Sequence, residues 1–257
     1  MLPLRSALVW VGAALGVVAL AACSDDDGPD DEITRIDGPA VVDEEQLDGS
    51  PPVGSETAMA TLRFNFGTMG SGKSTFALQI HHNLANRQLY GLLLTALDRE
   101  GRQVTSRLGV AAPAIEVSPD VDLYKLAADN WPLHYIVCDE VQFYTPAQCE
   151  QLARVVDDLE VDVYAFGLLT DFRGELFDGT KRMLELADEH TPLQVEARCW
   201  CGARATHNAR VVNGEVVYEG DTVMVGDTDD HDQPLFGDSV RYELLCRHHF
   251  RSGDLGS

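Results

Sequence analysis

The stretch "TLRFNFGTMGSGKSTFALQIHHNLA", Thr61 to Ala85, decides the fold. It opens on an apolar run, passes through a Gly-rich turn, and then repeats apolar residues at Phe76, Ile80 and Leu84. Apolar side chains four residues apart fall on one face of a helix, so the stretch reads as strand, loop and helix. The residues from Gly67 to Ser74 fit G-x-x-x-x-G-K-[ST], the phosphate-binding loop, at the strand-to-helix junction where that motif works. Gly67, Thr68, Met69, Gly70, Ser71 and Gly72 would let backbone N–H groups approach phosphate closely. The helix N-terminus would add about half a positive charge. Lys73 would reach the β- and γ-phosphates of a bound nucleotide, and Ser74 would hold Mg²⁺.

Downstream, "LYGLLLTAL" from Leu89 is the next apolar run, followed by Asp98 and Arg99 and then by polar sequence to about Asp120. "HYIVCDEVQF", His134 to Phe143, carries more information. A buried-strand run ends directly in Asp139 and Glu140, the place where a nucleotidase or a kinase puts a Mg²⁺-organising carboxylate and a general base. A helical segment from Pro146 to Leu159 leads to another strand, "VDVYAFGLL" from Val161, and to the loop "TDFRGELFDG" with Phe172, Arg173, Gly174 and Phe177. Strands alternating with helices predict an α/β fold, a parallel P-loop NTPase-type sheet with strands near 61–66, 90–97, 134–139 and 161–168.

The chain has six cysteines, and two of them, Cys199 and Cys201, stand one residue apart. Their partners lie in "YELLCRHHF", where Cys246 and His249 are separated by two residues. Three thiols and an imidazole are the soft donor set of a closed, tetrahedral structural Zn²⁺ site, which would pin the base of a long loop. His248 competes with His249 for the fourth position, and a disulfide or unlinked thiols are the rival readings. Cys138 and Cys149 lie in strand-like and helical sequence and read as small buried apolar residues.

A formal net charge of −23 argues against a nucleic-acid partner, because such binders gather Lys and Arg on a surface. Much of it sits between Ser24 and Glu56, where twelve Asp or Glu face one base, Arg35. That composition buries too little apolar surface to offset ordering entropy and reads as disordered. Before it, "MLPLRSALVWVGAALGVVALAAC" has Arg5, an apolar run too short to span a bilayer, and a "LAAC" ending that resembles a bacterial lipoprotein signal with Cys23 as lipid acceptor. The competing reading of the first 58 residues is a mis-assigned start or a fused upstream reading frame, since Met59 begins just where the phosphate-loop sequence starts.

Together, "FGTMGSGKST", "CDEVQF", "GLLTDFRGELF", "CWCG" and "YELLCRHHF", in this order and spacing, resemble the zinc-containing, type II thymidine kinase family in its bacterial form, from about Ala60 to Phe250. The resemblance implies that Gly67 to Ser74 form the ATP phosphate loop and that Asp139, Glu140, Val141 and Gln142 belong to the nucleotide segment. Glu140 would be the base that takes the proton of the thymidine 5′-hydroxyl. Asp98 and Arg99 would stand near the phosphates, with a mobile flap after them. Met69, Phe143, Leu168, Phe172 and Tyr242 would surround the thymine ring or its sugar. Val223, Met224, Val225, Gly226 and Asp227 would form a backbone lasso on the base. Cys199, Cys201, Cys246 and His249 would bind zinc, and the assembly would be a homotetramer. Two departures stand out: Leu169 replaces an Arg frequent in bacterial relatives, and Asp227 replaces a second lasso Gly.

The expected organisation is therefore a signal-like segment at 1–23, an acidic segment at 24–58, a P-loop kinase domain at 59–192, a zinc and lasso module at 193–250, and a tail at 251–257. The expected location is the cytoplasm, where ATP is plentiful and thiols stay reduced; the alternative is a membrane lipoprotein anchored through Cys23. A non-catalytic ATP-binding lipoprotein and a kinase of another deoxynucleoside are the competing functions.

Overall fold

A computed structural model describes residues 59–96, 103–106, 108–221 and 240–256. In chain order its elements are β1 (Leu62–Gly67), α1 (Lys73–Ala85), β2 (Gly91–Thr95), β3 (Gln103–Thr105), β4 (Ala111–Pro113), β5 (Ile115–Glu116), α2 (Leu123–Asp129) and β6 (Tyr135–Asp139). A 3-10 turn (Val141–Phe143) then leads to α3 (Pro146–Leu159), β7 (Asp162–Leu168), α4 (Asp178–Leu186), β8 (Glu189–Pro192), β9 (His207–Val212), β10 (Glu215–Val217), β11 (Val240–Leu245) and α5 (Arg247–Ser252).

Six strands form one sheet in the order β5-β2-β6-β7-β1-β8, and every pairing in it is parallel. A parallel sheet must be covered on both faces, and the central strand obeys this: all five residues of β6 are buried. Successive side chains alternate between two layers. Ile136 and Cys138 join Leu152, Val155 and Val156 of α3 and Met183 of α4, whereas Tyr135 and Val137 join Ala77 and Leu78 of α1. Cys138 and Cys149 are fully buried within the first layer, as their sequence context predicts.

One consequence of uniform strand direction positions the site. The carboxyl ends of β1, β6 and β7 lie along the same edge, so Gly67, Asp139 and Leu168 stand together although they are far apart in sequence. The four strands expected near 61–66, 90–97, 134–139 and 161–168 all form, each within two residues of its expected bounds. Within the region read as a polar flap, Gln103–Thr105 and Ala111–Pro113 pair as an antiparallel hairpin, and Val104 is buried in the α1 layer.

The C-terminal part is a different kind of structure. An antiparallel sheet in the order β10-β9-β11 packs against α5 over a small core of Cys199, Ala209, Leu245 and Phe250. The acidic segment, Cys23, Asp98, Arg99 and the lasso positions Val223, Met224, Val225, Gly226 and Asp227 lie outside the described residues.

Candidate active site and metal centre

Two helix starts show how the sequence reserves one place for a ligand. At α3, Thr145 accepts from the Gln148 N–H, Gln148 Oε1 accepts from the Thr145 N–H, and Pro146 occupies the first turn, so a capping box closes this end. At α1 the cap is Gly72 in the left-handed conformation (φ 83°), with no side-chain cap. The N–H groups of that first turn are left facing the phosphate loop, the arrangement that binds anions.

Inside the loop, Lys73 is 7% exposed and its Nζ donates to the Thr68 carbonyl at 2.8 Å, which holds the cation within the loop. Ser71 is buried, and its Oγ has no hydrogen-bond partner among the described residues. An orphaned buried hydroxyl in a ring of N–H donors fits a ligand oxygen. Gly67 is required by close approach: a Cβ there would stand 2.4 Å from Ser71 Oγ and 2.6 Å from the Leu193 carbonyl.

The end of β6 meets this loop. Ser74 donates its hydroxyl to the buried Asp139 carboxylate. Burial first, and then the charge of Glu140, push Asp139 up to about 7, against the Ser74 hydrogen bond and the Lys73 charge, which favour the anion. Ser74 and Asp139 thus have the chemistry to hold Mg²⁺, and a buried, electron-rich carboxylate beside a hydroxyl fits a hard cation.

Glu140 follows immediately and takes φ 56° and ψ 36°, left-handed geometry that a non-Gly residue rarely adopts. Its N–H is turned back onto Asp139 Oδ1 at 3.0 Å, and its half-buried carboxylate accepts from Gln142 Nε2. Gln142 is 3% exposed. Val141 is buried in the core under this turn, so of the four residues Asp139, Glu140, Val141 and Gln142 only Glu140 is not buried.

On the nucleoside side the aromatic residues do not behave alike. Phe143 packs edge-on against Phe177 at 5.6 Å between ring centres, while Phe172 is buried with the Arg210 guanidinium 3.6 Å from its ring centre. Arg210 is itself buried and donates to Tyr242 Oη at 3.2 Å, so it joins two positions expected near the base. Leu168 commits both backbone groups: its N–H donates to Gln142 Oε1 and its carbonyl accepts from Thr180. Met69 stands in the loop, its N–H donated to Asn208 Oδ1 at 2.8 Å.

In the C-terminal module the donor atoms of Cys199, Cys201, Cys246 and His249 all lie within 4.8 Å of one another. Tetrahedral zinc with sulfur at about 2.3 Å sets its ligands about 3.8 Å apart, so the set fits the ion. His249 Nδ1 is the converging nitrogen, 3.3 Å from Cys199 Sγ and 3.5 Å from Cys246 Sγ, whereas His248 is not part of the cluster. The described cysteines are free thiols, and the His249 N–H at the start of α5 holds the Cys246 thiol below its usual range, toward the thiolate a metal needs.

Comparison with known proteins agrees with this geometry. A family model described as thymidine kinase matches residues 60–250. The chain is similar to the thymidine kinase of Streptomyces coelicolor, 52% identical over 198 residues that cover 75% of this chain and 89% of the relative. It is also similar to that of Cutibacterium acnes, 47% identical over 203 residues, covering 77% and 91%. The chain belongs to the thymidine kinase family.

As a thymidine kinase family member it is a phosphotransferase, and family membership implies that it uses ATP. Motif patterns miss two polar residues of this thymidine kinase fold. Asn208 and Arg210 sit on β9, where a strand pattern predicts only core or surface, yet both are buried and each joins the module to the kinase sheet or its loops. A buried Arg within the run "HNARVV" is the signal that marks them, since a charge at a core-facing position needs a dedicated partner.

Proposed function

We propose that the chain transfers the γ-phosphoryl group of ATP to the 5′-hydroxyl of thymidine, giving thymidine monophosphate, with Glu140 as general base. The observation that carries this reading is the meeting of the start of α1 with the end of β6: Ser74 hydrogen-bonds Asp139, and the left-handed turn at the next residue sets the Glu140 carboxylate at the same edge of the sheet.

Phosphoryl transfer asks for positioning and charge neutralisation more than for covalent chemistry. The N–H groups from Gly67 to Ser74 and the Lys73 ammonium bind and orient the triphosphate. Mg²⁺, held through Ser74 and Asp139, would neutralise phosphate charge. Glu140 accepts the proton of the 5′-hydroxyl as its oxygen bonds to the γ-phosphorus and the bond to ADP breaks. Met69, Phe143, Leu168, Phe172 and Tyr242 form the nucleoside side, completed by Val223 to Asp227. Asp98 and Arg99 act near the phosphates.

Four converging soft donors support a structural zinc, and family resemblance supports a homotetramer. ATP use and reduced thiols at the zinc ligands support a cytoplasmic location. Among the described residues no helix is long and apolar enough to cross a membrane. The zinc and lasso module is taken as 193–250 and the kinase domain as 59–192.

The test is ATP-dependent phosphorylation of thymidine and a panel that includes deoxyuridine. Glu140→Gln should keep ATP affinity while kcat drops by roughly 10²–10⁴. A variant that retains the wild-type kcat removes Glu140 from the base role.

A further inference from the structure

The residue two places after Glu140 is held by protein at both ends of its side-chain amide. This residue, Gln142, is 3% exposed. The Leu168 N–H can only donate, so the oxygen of the amide must face it, at 2.9 Å; the NH₂ end is then directed at the Glu140 carboxylate, an acceptor. No other orientation of the amide satisfies both neighbours.

Its surroundings leave it no freedom to turn away. Gly167 flanks it so closely that a Cβ would lie 2.9 Å from Gln142 Oε1 and 3.0 Å from Val141 Cγ2. On the other side, Gly179 of α4 abuts the backbone of the turn, where a Cβ would lie 2.4 Å from the Val141 carbonyl and 3.0 Å from that of Gln142. The carbonyl of Leu168, the residue that anchors the amide, is fixed in turn by Thr180 Oγ1 at 2.6 Å.

We propose that Gln142 is a positioning residue for phosphoryl transfer: it clamps the Glu140 carboxylate to the end of β7 and aims it at the nucleoside hydroxyl, without touching ATP. This rests on Glu140 being the base. A left-handed backbone at Glu140 directs the side chain only roughly, because a glutamate carries three further rotatable bonds. A fixed N–H donor removes that freedom and supplies the near-attack geometry on which rate depends steeply.

The test uses the full chain. Gln142→Met, of similar volume, should lower kcat by roughly 10-fold or more with the KM for ATP changed less than about 2-fold. On a Glu140→Gln background, Gln142→Met should change kcat by less than about 2-fold, because its effect passes through the carboxylate already removed. Gly167→Ala, which displaces the amide without altering it, should reproduce the kcat loss even if Gln142→Met fails to fold. A rise in the KM for ATP with kcat intact overturns the proposal and returns Gln142 to the nucleotide site, and a kcat loss of the same size on the Glu140→Gln background overturns it as well. If Glu140→Gln alone keeps its kcat, the base assignment falls first, and with it the clamp.

Discussion

The kinase sheet and the C-terminal module each fix a site, but by different means. At the phosphate loop, geometry comes from the backbone: Gly67 admits Ser71 and Leu193 where no side chain fits, and the sheet under it is buried on both faces. Among the described residues the module packs a small core of Cys199, Ala209, Leu245 and Phe250, with Cys199, Cys201, Cys246 and His249 converging where a metal could bind. One region is prearranged by apolar packing; the other has four soft donors placed so that a metal could supply part of its order. The two should therefore fail under different insults.

Metal removal should produce the largest contrast. Structural zinc contributes an apparent binding free energy of about 10–16 kcal/mol in small modules, more than burying one or two apolar side chains at about 1.5–3 kcal/mol each. Chelation, or Cys246→Ser, should release the ion counted by metal analysis and abolish thymidine turnover while ATP still binds the loop. Equal loss of ATP binding would show that the two regions do not stand independently.

Asp139→Asn tests the sheet side. Because burial raises the folded-state value of Asp139 to about 7 from 3.8, the folded protein holds a proton there that the unfolded chain has released. The stability from this group is thus full below about 4 and is lost as pH rises toward 7. Asp139→Asn should flatten that decline in the melting temperature of Mg²⁺-free, zinc-loaded protein and lower kcat by roughly 10² or more. A melting profile that keeps its slope would assign the decline to other groups.

Gly67→Ala should be smaller, about 1–3 kcal/mol, read as a lowered denaturant midpoint with weaker ATP binding and zinc content unchanged. Smallest is Arg210→Lys. It retains the charge but loses the planar stack on Phe172, worth about 1–2 kcal/mol when buried, so the KM for thymidine should rise several-fold with the KM for ATP constant. If the KM for ATP rises instead, Arg210 belongs to the phosphate side of the comparison.

Much of this contrast is legible in the amino-acid sequence. The phosphate loop, the carboxylates after β6 and the Cys/His set are local patterns, in which the spacing itself encodes the geometry: eight consecutive residues between strand and helix, a strand that stops at its acids, ligand pairs one and two residues apart. Four strands and α3 follow for the same reason, since an unbroken apolar run or a capped periodic one has few alternatives. The β3–β4 hairpin is not legible, because its strands have three residues each and too short a pattern to register.

Contacts between residues distant in the chain belong to the tertiary structure alone. No spacing rule joins Gln142 to Leu168, Met69 to Asn208 or Arg210 to Phe172, which meet because parallel strands end on one edge and the β9 sheet is applied to it. Sequence sets which groups can donate, accept or bind metal. The fold decides which of them are brought within hydrogen-bond reach and sealed from water, and there the same amide or guanidinium acts as a fixed part of the site.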